Sequence, residues 1–518
     1  MLRSLQLSVA IAALAACGSK QFPSLCKDEV PPPMACMTAC DPKPGAPNTC
    51  PAGYFCDPDG KCDAECVPGA MPNQCGDGYT CLPDGTCVNN SDCNDLACKV
   101  VDCKSMSQPS TTISGTVYAP NGTLPLYGIS VYVPDADPGP FPAGLVCNKC
   151  SDTLPGPPVG KPVVTDEMGH FTLTDMPSGV PVPLIITSGK WRRILTLPTV
   201  NQCKDNAVNM ADTTLPKAID DVTPNTKVPW TGSMTPAISM PKIALTTGGA
   251  DSLECLIRKL GVADKEISTN AGSGHVNFYT GNGVGQFDSG WAGGAGMIPS
   301  ATPFWGTESN LDGYDIVILS CEGNQNPNTK QDPALANMKA YADKGGRVFA
   351  SHWHNIWIGG AWATGGNPRG NAAWLPIAMW QDSADPGSPD LIDEQNNPKG
   401  PNFAQWMLNV MGSPTRDVIP IQTGTDRQTA LSIDMAMAER WTYTQSTMAP
   451  QNFQFTTPIE TDANSRCGKV VFSDMHVSGG PGQGGYPSEC GSNLMLSPQE
   501  KALAFMFFDI ASCVGTIF

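Results

Sequence analysis

The chain has 518 residues and 22 cysteines, 14 of which lie before Lys104. Over that stretch large apolar side chains are few and neither helical nor strand periodicity is visible. Such a segment cannot bury a core of its own and has to be held by covalent staples. An internal repeat is present: Cys50, Cys56 and Cys62 are echoed by Cys75, Cys81 and Cys87, both with C-x₅-C-x₅-C spacing. In each copy an Asp-Gly pair (Asp59-Gly60, Asp84-Gly85) precedes the last cysteine and predicts a tight turn. A zinc ribbon would need C-x₂-C pairs, which the repeat lacks, so disulfides are expected. Asp57, Asp59 and Asp84 carry carboxylates suited to calcium, but as turn residues they read better as solvated.

The start of the chain gives a redox compartment. Met1-Leu2-Arg3 is a short basic opening, and the apolar run from Leu5 to Ala16 is shorter than the roughly 20 residues a spanning helix needs. This is the layout of a secretory signal. It ends Leu14-Ala15-Ala16-Cys17, which resembles the lipobox of bacterial lipoproteins. The resemblance implies removal of residues 1–16, lipidation of Cys17 and a membrane anchor. Gly18 and Ser19 in place of aspartate imply the outer membrane or cell surface. Export favours disulfides over thiol chemistry. With Cys17 acylated, 21 cysteines remain, so at least one is free or paired between chains. The net charge of −17 disfavours nucleic acid and anionic lipid as partners. A mature length near 500 residues exceeds one core, so two folded domains beyond a cysteine-rich stalk, residues 17–109, are expected.

Residues 110–203 alternate short β-branched runs with Gly/Pro turns, as in Ile113–Tyr118, Gly128–Val133, Val163–Leu173 and Leu184–Ile186. The pattern predicts a β-sandwich. With its Thr165-Asp166-x-x-Gly169-x-Phe171 turn it resembles the carboxypeptidase regulatory-like (transthyretin-like) domain, which implies a non-catalytic module, sometimes linked to carbohydrate. Cys147 and Cys150 form one C-x₂-C, read as disulfide chemistry involving Cys203, and His170 is read as structural. Residues 204–240, Pro/Thr-rich and polar, are read as a linker.

Residues 241–518 alternate strand and helix. Predicted strands are 242–246, 314–319, 347–351 and 469–472. Helices start at Asp251, Asp332-Pro333 and Ser497-Pro498, the last with Glu500 at the capping-box position. This predicts a parallel α/β sheet, in which ligands bind beyond the carboxyl ends of the strands. Gly248, Gly249, Cys321, Glu322 and Ser351 are therefore candidate pocket residues. His352, His354, Asp474 and His476 are candidate ligands for a divalent metal, because in extended chain residues two apart share a side. A disulfide is the favoured reading of Cys321, with Cys255, Cys467, Cys490 and Cys513 available; Cys467 with Cys490 is one plausible pairing. A Cys–His pair would form if Cys321 approached His352 or His476.

The segments Tyr314–Leu319, Gly345-Gly346 through His352, and Gly468–Phe472 resemble the class I glutamine amidotransferase-like fold, nearest its trehalose-utilisation (ThuA-like) branch. That family's strand after the Gly-Gly turn ends in a nucleophilic cysteine; here the elbow falls near His352, and Asp474-Met475-His476 replaces the later His-x-Glu. The departure argues against glutamine hydrolysis. Two functions follow as expectations. One is ligand binding without catalysis, the candidate ligands being carbohydrate, stacked on Trp291, Trp305, Trp353, Trp357, Trp362, Trp374 and Trp380, or another envelope protein. The other is metal-assisted hydrolysis of an extracytoplasmic substrate.

Overall fold

A computed structural model describes residues 22–515 except 23, 29, 44–48, 71–73, 77, 90–94, 362–367, 388, 479, 481 and 483. The signal segment, Cys17 and Trp362 lie outside the described residues. The chain is multidomain and rich in β-structure, and its contacts divide it into residues 1–93 and 94–518. Residues 94–109, read from sequence as stalk, thus group with the second unit, to which the Cys103–Cys203 disulfide also ties them.

In the first unit the two cysteine repeats fold alike. Each makes a hairpin, Phe55–Cys56 with Cys62–Asp63 and Tyr79–Cys81 with Cys87–Asn89. In each, the first cysteine bonds the third (Cys50–Cys62, Cys75–Cys87) and the middle one reaches back upstream (Cys40–Cys56, Cys66–Cys81). Cys26–Cys36 adds a fifth staple. Gly60 and Gly85 sit at φ +77° and +83° in the Asp-Gly turns. Asp57 Oδ1 accepts the backbone N–H groups of Asp59 and Lys61, and Asp84 Oδ1 that of Thr86, so both carboxylates are occupied as turn formers.

The second unit begins with two sheets over residues 112–239. One has five strands, Ile238–Ser239, Trp191–Leu197, Val182–Ser188, Ser130–Pro134 and Pro158–Val164, in that spatial order; the other has Asp205–Ala207, Thr112–Thr116 and His170–Thr174. The residues read as a linker belong to these sheets. Asp205–Ala207 pairs with Thr112–Thr116, and Ile238–Ser239 with Trp191–Leu197. Between them Asn209 caps the helix Met210–Thr213, and buried Asp212 accepts from Thr223 and Asn225. Side-chain hydrogen bonds, invisible to composition, order this polar stretch.

Residues 243–473 build a ten-stranded sheet. Its first six strands are parallel in the order Ile267–Ser268, Val276–Thr280, Ile243–Thr247, Ile316–Leu319, Arg347–Ser351, Gly468–Ser473. Ile243–Thr247, Ile316–Leu319, Arg347–Ser351 and Gly468–Ser473 are buried along their whole length, as strands covered on both faces must be. Four antiparallel strands, Pro450–Thr457, Glu439–Thr444, Asp390–Ile392 and Val418–Ile419, extend it beyond the parallel alternation predicted. The helices Asp332–Asp343 and Pro498–Ala511 start where predicted, the latter with a complete Ser497–Glu500 capping box. Gly346 is required before Arg347–Ser351, because a Cβ there would lie 2.4 Å from the Tyr341 ring. No described helix is long and apolar enough to cross a membrane.

The long-range disulfides differ from the sequence reading. Cys147 bonds Cys467 and Cys150 bonds Cys513, so the C-x₂-C loop is tied to the large sheet rather than to Cys203. Cys490 bonds Cys255, not Cys467. Cys321 is free and buried.

Candidate functional site

Three adjacent parallel strands end together. Leu319, Ala350 and Phe472 lie in one register across Ile316–Leu319, Arg347–Ser351 and Gly468–Ser473. Cys321, His352 and His476 follow two, two and four residues later and meet at the carboxyl edge of the sheet, where open α/β folds place ligands. Their ligating atoms all lie within 4.8 Å of one another, and Cys321 Sγ is 3.4 Å from His352 Nδ1. The two imidazoles stand 4.9 Å apart at 70°. None is more than 2% exposed.

The backbone shapes this convergence. His352 adopts φ +44°, a left-handed conformation that is uncommon for a residue with a side chain and marks a sharp turn off the strand. A 3₁₀ turn, His352–Asn355, follows. Gly248 presses on the neighbouring strand end; a Cβ there would fall 2.3 Å from the Cys321 carbonyl oxygen. Gly249 approaches Asn282 less closely, with its Cβ position 2.8 Å from that carbonyl oxygen. Asp251 joins the strand ends: Oδ1 accepts from the N–H groups of Val477 and Ser478, and Oδ2 from the Ser351 hydroxyl.

Burial governs the electrostatics. It pushes the Cys321 thiol up to about 12, against backbone N–H donors from Trp353 and Gly323 that favour the thiolate. Burial pulls His476 down to about 3, with Arg427 adding to the shift. It pulls His352 well below the ordinary imidazole range, with His476 and Arg427 reinforcing it. Without a bound cation the site therefore holds a neutral thiol and two neutral imidazoles. His352 Nε2 meets the Ser383 hydroxyl at 3.1 Å, while His476 Nε2 is buried with no hydrogen-bond partner among the described residues.

A cysteine and two histidines suit zinc or copper. Tetrahedral zinc, with Zn–S near 2.3 Å and Zn–N near 2.0–2.1 Å, requires ligand atoms about 3.6 Å apart, close to the 3.4 Å Cys321–His352 separation. The Ser383 contact fixes the ring nitrogen that His352 would leave free, as second-shell groups of metal ligands do.

The four-residue metal set expected from sequence does not converge. His354 Nε2 donates to the Ser320 carbonyl at 2.9 Å and its Nδ1 accepts from Trp357 Nε1 at 2.9 Å, so both ring nitrogens are used. The 3₁₀ turn breaks the extended geometry that would have put His352 and His354 on one side. Both Asp474 oxygens are taken by Thr429 and Ala430, fastening the strand Gln428–Ile433. Glu322 pairs through Oε2 with Lys330 at 2.7 Å, and its Oε1 lies 3.8 Å from His354. Of the candidate residues, His352, His476 and Cys321 form the centre; Gly248, Gly249, Ser351, Glu322, His354 and Asp474 surround it as support. Cys321 stands among the pocket candidates, and the structure realises its alternative pairing with histidine rather than the favoured disulfide; no sequence signal marked Ser383, which lies in an exposed part of the strand Ala378–Ala384. The tryptophans considered for sugar stacking are largely internal: Trp291, Trp305, Trp357 and Trp374 are buried.

No family model matches the chain, and no curated protein matches it. Nine chains of solved structure match. One, a cytoplasmic protein from Salmonella typhimurium, is 14% identical over 52% of this chain and 99% of its own, with a TM-score of 0.28. That superposition is too loose to support an argument about fold or function.

Proposed function

We propose that this is an exported, lipid-anchored envelope protein whose 241–518 region binds a transition metal through Cys321, His352 and His476. The convergence of one thiol and two neutral imidazoles on a common point carries the reading. Nine described disulfides support an oxidising compartment. A free buried thiol in such a chain calls for another role, and metal ligation supplies one. Three protein ligands leave a fourth position for water or substrate, as in catalytic zinc sites, and metal-assisted hydrolysis is the activity class that this ligand count suits. In that scheme the residues hold the ion and exclude bulk water, and Arg427 places positive charge near the imidazoles.

Metal analysis of the purified mature chain tests the centre. One ion per chain is expected, with Cys321→Ser and His476→Ala each weakening metal binding by more than about tenfold. A metal-free protein that takes up neither zinc nor copper on titration would overturn the proposal. Palmitate labelling tests the anchor: incorporation is expected, and its persistence in Cys17→Ser would reject lipidation there.

A further inference from the structure

At the opposite end of the same sheet, a cavity of about 290 Å³ lies between the amino ends of the strands Ile316–Leu319 and Arg347–Ser351, the loop carrying Cys147 and Cys150, and the strand Trp191–Leu197. Its size is at the small end of ligand pockets. Four cations (Lys149, Lys190, Arg192, Arg347) and two anions (Asp152, Asp315) line it, a net positive wall in a chain of net charge −17. Lys190 is neutralised by Asp315 at 2.7 Å. The two guanidiniums are not. Neither Arg192 nor Arg347 has a carboxylate within ion-pair distance among the described residues.

Arg347 is turned onto backbone carbonyls of Cys467, Asn148 and Ser512. Arg192 is less satisfied. It is 2% exposed, donates through Nη2 to the Gly139 carbonyl at 3.0 Å, and leaves Nε buried with no partner among the described residues. Asp137, the carboxylate that bears on Arg192 electrostatically after the Tyr132 hydroxyl, accepts instead from Thr235 and the Gly139 N–H. The Phe141 ring holds the guanidinium in place, 4.2 Å from the ring centre. A buried, oriented and unpaired donor on a cation is expensive unless something accepts from it. Tyr132, Leu145, Leu154 and Ile316 provide apolar wall beside it. The disulfides Cys147–Cys467 and Cys150–Cys513 tie the loop to the sheet and preform the walls.

We infer that this cavity binds a small organic acid, its anionic head on Arg192 and its apolar body against Tyr132 and Leu154. The site is separate from the metal centre and does not depend on it. Ligand-observed NMR titration of the full mature chain with benzoate, phenyl phosphate, benzyl alcohol and benzamidine tests it; ligands this small are expected to bind at roughly millimolar strength. Benzoate or phenyl phosphate is expected to bind one-to-one, with benzyl alcohol and benzamidine at least about tenfold weaker. Arg192→Gln should weaken acid binding about tenfold, and Phe141→Ala, on the loop, should weaken it too and serves if Arg192→Gln fails to fold. Cys321→Ser should bind the acids as wild type does, so loss of the metal reading leaves this one standing. Absence of acid binding, equal binding of benzyl alcohol, or a folded Arg192→Gln or Phe141→Ala chain that binds unchanged would overturn the inference.

Discussion

Cys321 and Asp509 illustrate how burial gives opposite fates to two acids. The thiol is held protonated because little charge nearby favours its anion, so it should resist modification in the native state. Labelling with a disulfide reagent should be slow in native metal-free protein and fast after unfolding without reductant, and the difference should vanish in Cys321→Ser. Fast native labelling would contradict the buried neutral thiol. Asp509 is nearly as enclosed, its side chain 9% exposed, yet Lys399 and Lys469 outweigh the burial cost and hold its carboxyl well below the usual carboxylate range. Its folded value lies below its unfolded value of about 3.9, so its stabilisation is complete above pH 4 to 5 and is lost as pH falls through the folded value. Asp509→Asn should cost about 3–5 kcal/mol near neutral pH by leaving buried Lys469 and half-buried Lys399 without their carboxylate. The gap between the urea midpoints of wild type and variant should begin to narrow below about pH 4 and close only as pH falls through the folded value; a gap independent of pH would refute the assignment.

Among elements, the helix Pro498–Ala511 is specified locally and used globally. Ser497 accepts from the Glu500 N–H, Glu500 accepts from the Ser497 N–H, and Pro498 fills the first turn where no N–H is needed. Glu500 also pairs with Lys259 at 2.7 Å, joining this helix to Leu253–Lys259. Ser497→Ala should cost about 1 kcal/mol in urea unfolding, the worth of a cap. Glu500→Ala should cost more, because it removes the cap and leaves Lys259 without its carboxylate. The elements around the site were equally legible: four buried strands and the Gly-Gly turn follow from apolar runs and breakers, while the order of the strands in the sheet is set by packing. The antiparallel extension from Asp390 to Thr457 was not, since its strands mix polar and apolar residues without clean alternation.

For the whole second unit, the Cys147–Cys467 and Cys150–Cys513 bonds close separations of 320 and 363 residues. Crosslinks over such distances constrain the unfolded chain most, and replacing either pair by serine should cost about 3–5 kcal/mol. Calorimetry of the two double variants checks this. If both melt as wild type does, the covalent ties to the large sheet contribute little to stability.

Local signals along the chain carry the expectation of export, the stapled repeats, four of the six parallel strands, the starts of the helices Asp332–Asp343 and Pro498–Ala511, and the sheet edge where ligands are expected. These signals are apolar periodicity, turn residues, caps and cysteine spacing. The tertiary structure decided which side chains reach that edge. Cys321 meets His352 and His476 because three strand ends share a register and His352 turns off its strand at positive φ, while His354 and Asp474 are consumed by backbone and side-chain partners. Convergence and pairing across more than a hundred residues depend on packing between distant segments, which spacing along the chain does not encode.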